Sequence, residues 1–227
     1  MRFSPLITCE HACNAVPEAY SHLFTAAQDV LCSHRGWDPG ALEMATILSH
    51  ALRAPLFSCP SSRLLIEANR SVGHEQLYSE YTRGLSATEK EILINQFYRP
   101  YRLSVEQAVS TLPKPVLHLS VHSFTPMWND VLRDVDIGLL FDPAREPERR
   151  FCAQAMQGIS GALEGKYVVK FNEPYKGIDD GLTTYLRTVF AEDAYAGIEL
   201  EINQKYVGLP AWEVISHALA AIVKTLV

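Results

Sequence analysis

The chain has 227 residues, 48% of them apolar or aromatic, with a formal net charge of −6. That length buries one substantial core, so a single domain over residues 1–227 is expected. The acidic balance and the lack of a dense Lys/Arg tract argue against a surface that neutralises a phosphate backbone, and no nucleic-acid partner is expected.

Arg2 precedes only a short apolar stretch before Glu10 and His11, so no secretory segment, membrane span or membrane partner is expected and the setting reads as cytoplasmic. The five cysteines (Cys9, Cys13, Cys32, Cys59, Cys152) are odd in number and scattered, which fits reduced thiols. Cys9 and Cys13 have a zinc-pair spacing but no second pair follows, so small buried residues is the favoured reading.

Taken in chain order, Leu6 to Cys9 is a short apolar run that predicts a buried strand, and Leu42 to Leu52 has the three-and-four spacing of a helix. Leu56 to Cys59 and Leu64 to Glu67 again predict strands. Ser86 with Glu89 forms a capping-box pattern at the head of a helical stretch to Leu112, which Pro100 is expected to break or kink. Val116 to Val121, Ile137 to Phe141, Tyr167 to Phe171 and Ile198 to Ile202 predict four more strands, and Ala211 to Leu226 predicts a closing amphipathic helix. No repeat or low-complexity tract interrupts the series. Strands alternating with helices on this scale imply an α/β three-layer sandwich, with a mixed, largely parallel sheet covered by helices on both faces. Chemistry on such a fold belongs where strands end and loops begin.

His11 follows the first strand and His122 follows Val116 to Val121, with Ser123 beside it. A histidine in such a place is more often a hydrogen-bonded packing residue than a ligand. Asp38 supplies a carboxylate that could join the two, although before Pro39 it also suits the role of helix N-cap. Two imidazoles and one carboxylate would leave zinc an open position for water, as a hydrolytic site requires. His34 competes with Asp38 as the third ligand.

Glu199 and Glu201 put two acids on one face of an otherwise apolar strand, a costly placement without a partner, and either could be the base. Arg63, Asn69 and Arg70 flank the Leu64 to Glu67 run and could clamp a carboxylate. Arg187 is a further anion-binding candidate, or a plain helix-end cation. Asn172 to Gly177 is a turn-rich polar segment in which Asn172 and Tyr175 could face substrate.

The motifs Thr8-Cys9-Glu10-His11-Ala12-Cys13-Asn14, Trp37-Asp38-Pro39-Gly40-Ala41, Ser62 to Ser71, His122-Ser123-Phe124, Asp136-Ile137-Gly138-Leu139-Leu140 and Gly197 to Asn203 together resemble the N-formylglutamate amidohydrolase family, in order, from near residue 7 to near residue 207. The resemblance implies a phosphorylase/hydrolase-like fold, similar to zinc carboxypeptidases. It also implies one zinc ion on His11, Asp38 and His122, with Glu201 as the base in preference to Glu199, and Asn69-Arg70 holding a substrate carboxylate.

The 27-residue step from His11 to Asp38 departs from the short His-x-x-Glu spacing of carboxypeptidases. The implied reaction is hydrolysis of N-formyl-L-glutamate, an acidic N-acyl amino acid, to formate and L-glutamate in histidine degradation. Alternatives are an amidase or carboxypeptidase-like enzyme acting on another acylated amino acid, peptide or cell-wall fragment, and a non-catalytic metal-binding or interaction protein. A homo-oligomer is compatible with the sequence.

Overall fold

The computed structural model describes residues 2–227. Its strands are β1 (Ser4–Cys9), β2 (Leu56–Ser58), β3 (Val116–Phe124), β4 (Met127–Trp128), β5 (Val131–Leu132), β6 (Ile137–Leu140), β7 (Val169–Phe171) and β8 (Tyr195–Asn203). Its α-helices are α1 (Gln28–Cys32), α2 (Ala41–Leu52), α3 (Ala87–Leu93), α4 (Arg99–Thr111), α5 (Glu146–Ala162), α6 (Leu182–Val189) and α7 (Pro210–Leu226). Six strands form one sheet in the order β2-β1-β3-β8-β6-β7. Every pairing is parallel except that of β6 with β8, so the sheet is mixed and mostly parallel, as expected.

Strand alternation sorts the side chains by face. Leu117, Leu119 and Val121 of β3 and Ala196, Ile198, Leu200 and Ile202 of β8 pack with residues of α2, α5 and α7 in the largest apolar cluster. The opposite face starts apolar, with Leu6, Val116 and Tyr195 packed against α4 and α6. It turns polar toward the C-terminal ends of the strands, through His118, Ser120 and His122 on β3 and Glu199 and Glu201 on β8. The functional groups therefore share one face of one sheet end.

Gly40 shows how tightly the covering layer is fitted. Its φ is +81°, and a Cβ there would lie 2.5 Å from the Trp212 ring of α7. Only glycine combines that backbone angle with that approach.

Two expectations need correction. Leu64 to Glu67 is not a strand but a chain of turns, in which Leu65 N–H donates to the Ser62 carbonyl and Glu67 N–H to that of Leu77. Its apolar run is buried all the same, because Leu64, Leu65 and Ile66 pack with Phe24, Leu77, Leu93 and Tyr98 in a separate cluster. A short apolar run signals burial without fixing backbone conformation.

The interruption expected at Pro100 is present as a change of helix type and not as an end: a π-helical turn over Ile94–Tyr98 separates α3 from α4 and places Pro100 in the first turn of α4. Asp38 is not the cap of α2, whose N-cap is Gly40 with no side-chain cap bond. The capping box at Ser86 and Glu89 is present.

Among the described residues no helix is long and apolar enough to cross a membrane. None of the five cysteines is bridged.

Candidate metal centre

The parallel pairing of β3 and β8 sets His122 directly opposite Glu201, and Ser120 opposite Glu199. β1 lies on the other side of β3, and the chain leaving it places His11 beside His122 with ring centroids 4.8 Å apart. Asp38 is held there by its own N–H, which donates to the His11 carbonyl at 3.0 Å. Three side-chain atoms then converge: His11 Nδ1 and His122 Nδ1 lie 3.1 and 3.0 Å from Asp38 Oδ2, and 3.1 Å from each other. His34 stays outside this group, edge-on to Trp128.

Both imidazoles are fixed from behind by buried carboxylates. His11 Nε2 is 2.6 Å from Glu67 Oε1, and His122 Nε2 is 3.0 Å from Glu10 Oε2. Such partners retain the Nε2 proton and turn the Nδ1 lone pair toward a metal. With both Nε2 atoms protonated, three electron-rich atoms face one another at hydrogen-bond distance with no proton left to share. A cation relieves that repulsion, and neighbouring ligands on tetrahedral zinc are separated by a similar distance, about 3.3 Å.

Without a metal, a further proton does the same work. Burial by itself would lower His122, but its bonds to Asp38 and Glu10 outweigh burial and raise it well above the usual range. Glu67, Glu10 and Asp38 are held far below the usual carboxylate range despite burial: Glu67 by Arg63 and His11, Glu10 by His122, and Asp38 by His11 and His122.

Glu201 is different. Its Oε2 is buried with no hydrogen-bond partner, and burial, with Asp38 and Glu199 adding their charge against the pull of His122, pushes it up to about 8. Glu199 is committed, accepting from Thr183 Oγ1 at 2.6 Å. Gly138, opposite Glu201 on β6, has no room for a side chain because a Cβ would meet the Glu173 carbonyl at 2.2 Å. That close approach brings the 172–178 loop against the sheet beside Glu201.

The sequence candidates divide clearly. His11, Asp38, His122, Glu199, Glu201, Arg63, Asn69, Arg70, Ser123 and Tyr175 line one cleft of about 300 Å³. Arg63 binds Glu67 and reaches toward Asp38, so it steadies the acids. Arg70 gives Nη1 to the carbonyls of Asn69 and Asp180, and its Nε and Nη2 have no protein partner among the described residues.

Arg187 and Asn172 do not line the cleft. The Arg187 side chain is buried, pairing with Glu148 at 3.0 Å and donating to the carbonyls of Gly177 and Gly197. Asn172 Oδ1 accepts from the N–H groups of Phe141 and Gly177 and so shapes its own loop.

Sequence reading gave no role to Glu10, Glu67, Gln76, Trp128 or Arg133. Glu10, an acid adjoining His11 at the end of an apolar strand, was the one with a usable signal.

The molecule is thus an α/β protein with a buried cluster of two histidines and one aspartate, able to hold a metal ion, at the C-terminal end of its sheet. A family model described as N-formylglutamate amidohydrolase matches residues 4–207, and the chain belongs to that family. Membership supports amidohydrolase chemistry. Gene product Atu2144 from Agrobacterium tumefaciens is 26% identical with a TM-score of 0.79, over 99% of this chain and 92% of that one.

Candidate metallopeptidases from Shewanella amazonensis SB2B and Shewanella denitrificans OS217 are more distant. The first is 14% identical (TM-score 0.41, 98% of this chain, 76% of that one) and the second 13% (0.43, 97% and 71%). No curated protein sequence matches.

Proposed function

We propose that this chain is a zinc-dependent amidohydrolase that cleaves the amide C–N bond of an N-acyl amino acid bearing a second carboxylate. N-formyl-L-glutamate, which would give formate and L-glutamate, is the first substrate to test. The observation that carries the reading is the pair of imidazoles, each anchored at Nε2 by a buried acid and each aiming Nδ1 at Asp38 Oδ2. His11, Asp38 and His122 would hold the ion, which when bound supplies Lewis acidity toward water and the amide carbonyl.

Glu201, facing His122 across the sheet, takes the proton of the attacking water and hands it to the leaving nitrogen. Glu199, held by Thr183, is the weaker choice for that transfer. Arg70, with Asn69 beside it, receives the carboxylate of the amino-acid half through its free Nε and Nη2. Ser123 and Tyr175 line the same cleft. Five unbridged cysteines fit a cytoplasmic setting.

The test is hydrolysis of N-formyl-L-glutamate against N-formyl-L-leucine by the zinc-loaded protein and its Arg70→Ala variant. Preference for the glutamate compound, lost in the variant through a raised KM, is the expected result. Equal handling of both compounds would refute the acidic-substrate assignment.

A further inference from the structure

The cleft described above has a second lobe. It measures about 320 Å³ and is lined by His34, Arg35, Phe124, Thr125 and Gln204. Asp38, Arg63, Gln76, Ser123, Trp128 and Tyr175 border both lobes, so the second opens directly from the candidate metal centre. Asn69 and Arg70 belong to the first lobe alone. With the amino-acid carboxylate on Arg70, the second lobe, entered past Asp38 and Ser123, is the space left for an acyl half. Formyl fills no more than about two water volumes of about 30 Å³ each, which leaves most of that lobe unused. Unused wall contributes no binding energy to the reaction.

Part of the wall is aromatic, with His34, Phe124, Trp128 and Tyr175 standing among polar and charged side chains. Trp128 is 52% exposed and His34 meets it edge-on, with ring centroids 6.4 Å apart. The Arg133 guanidinium lies 5.6, 5.4 and 5.0 Å from the ring centroids of Phe124, Trp128 and Tyr175, and also donates to the Tyr175 hydroxyl. One cation thus ties three rings together at the mouth. Trp128 is carried on the β4–β5 hairpin, whose turn residues Asn129 and Asp130 both have positive φ. Two central residues of that kind suit the tight turn that matches strand twist, which fixes the direction of the hairpin.

We propose, resting on the hydrolase reading above, that the acyl group of the natural substrate is flat and ring-sized and stacks in this second lobe, so that formyl is an undersized occupant. The reaction stays a simple hydrolysis. Water adds across the amide C–N bond, the aromatic acyl half leaves as a carboxylic acid and the nitrogen leaves on the free amino acid.

The experiment compares N-formyl-, N-acetyl- and N-benzoyl-L-glutamate on the zinc-loaded protein, with Kd from calorimetry and kcat/KM measured separately. The benzoyl compound is expected to bind at least about tenfold more tightly than the formyl compound, the scale of one aromatic contact. Trp128→Ala is expected to shrink that advantage to within about threefold. Formyl binding as tightly as benzoyl, or a benzoyl advantage untouched by Trp128→Ala, would overturn the inference, as would failure of all three to bind. Because binding is read apart from turnover, a Trp128-dependent benzoyl preference without hydrolysis would uphold this inference and refute the hydrolase reading.

Discussion

In the metal-free protein Glu201, a carboxyl buried on an apolar strand with one oxygen lacking any partner, is pushed up to about 8 by burial and keeps its proton at neutrality; a cation held by the neighbouring His11, Asp38 and His122 would favour the carboxylate that a base requires. That placement suits a group that must accept and return a proton near neutrality. Glu201→Gln is expected to lower hydrolysis about 10²- to 10⁴-fold while leaving metal content intact, as steady-state kinetics and elemental analysis would show. The same residue makes the metal-free protein sensitive to pH.

Glu201 shifts from 4.5 to about 8 on folding, so the native state binds the extra proton between those values and stability falls as pH rises through them. His122, raised above 6.5, works in the same direction: its stabilisation is complete below 6.5 and is lost as pH rises through its native value. Asp38, Glu10 and Glu67 are depressed, so their contribution is lost only in acid, outside this window. His118, lowered by burial from 6.5 to about 4, works the other way between those values. Urea unfolding of chelator-treated protein should therefore show stability falling from about pH 6.5 to about pH 8, less steeply in Glu201→Gln. Parallel slopes for the two proteins would show that Glu201 does not carry the effect.

At the scale of elements, α6 has a structural task. It delivers Arg187 to Glu148 on α5 and to the carbonyls of Gly177 and Gly197, which joins two helices, a loop and β8 in one buried knot. Removing one partner of a buried pair strands the other charge, so Arg187→Ala should destabilise by about 3–5 kcal/mol in urea unfolding. If the variant instead kept full stability and raised KM, Arg187 would have to be returned to the substrate site.

Arg187 could not be sorted from sequence, because a late helical arginine looks the same whether it faces an acid on another helix or a ligand. The strands are more legible: of the seven apolar runs, six fall on sheet strands. The seventh, Leu64 to Glu67, failed because burial by loops and helices leaves the same apolar trace as burial in a sheet. The β4–β5 hairpin was missed because its strands are two residues each and exposed, with only Asn129-Asp130 to mark the turn.

Across the whole molecule, residues far apart in the chain meet because β1, β3 and β8 are parallel neighbours and end together. The His11, Asp38 and His122 grouping was legible from ordered motifs and the strand-end rule. Its supports are not legible, since Glu67 reaches His11 across 56 residues from a segment whose apolar run looks like a strand. The second lobe was hidden for a similar reason, as it is assembled from the Arg35, Phe124, hairpin and Gln204 regions.

The proposed chemistry depends on a catalytic metal held by the converging Nδ1, Nδ1 and Oδ2 atoms. The most direct test is elemental analysis of the purified wild type, His11→Ala and His122→Ala, with amide hydrolysis assayed on the same samples. Near-stoichiometric zinc in the wild type, lost together with activity in both variants, is the predicted result. A metal-free wild type that stays inert when zinc is restored would contradict it.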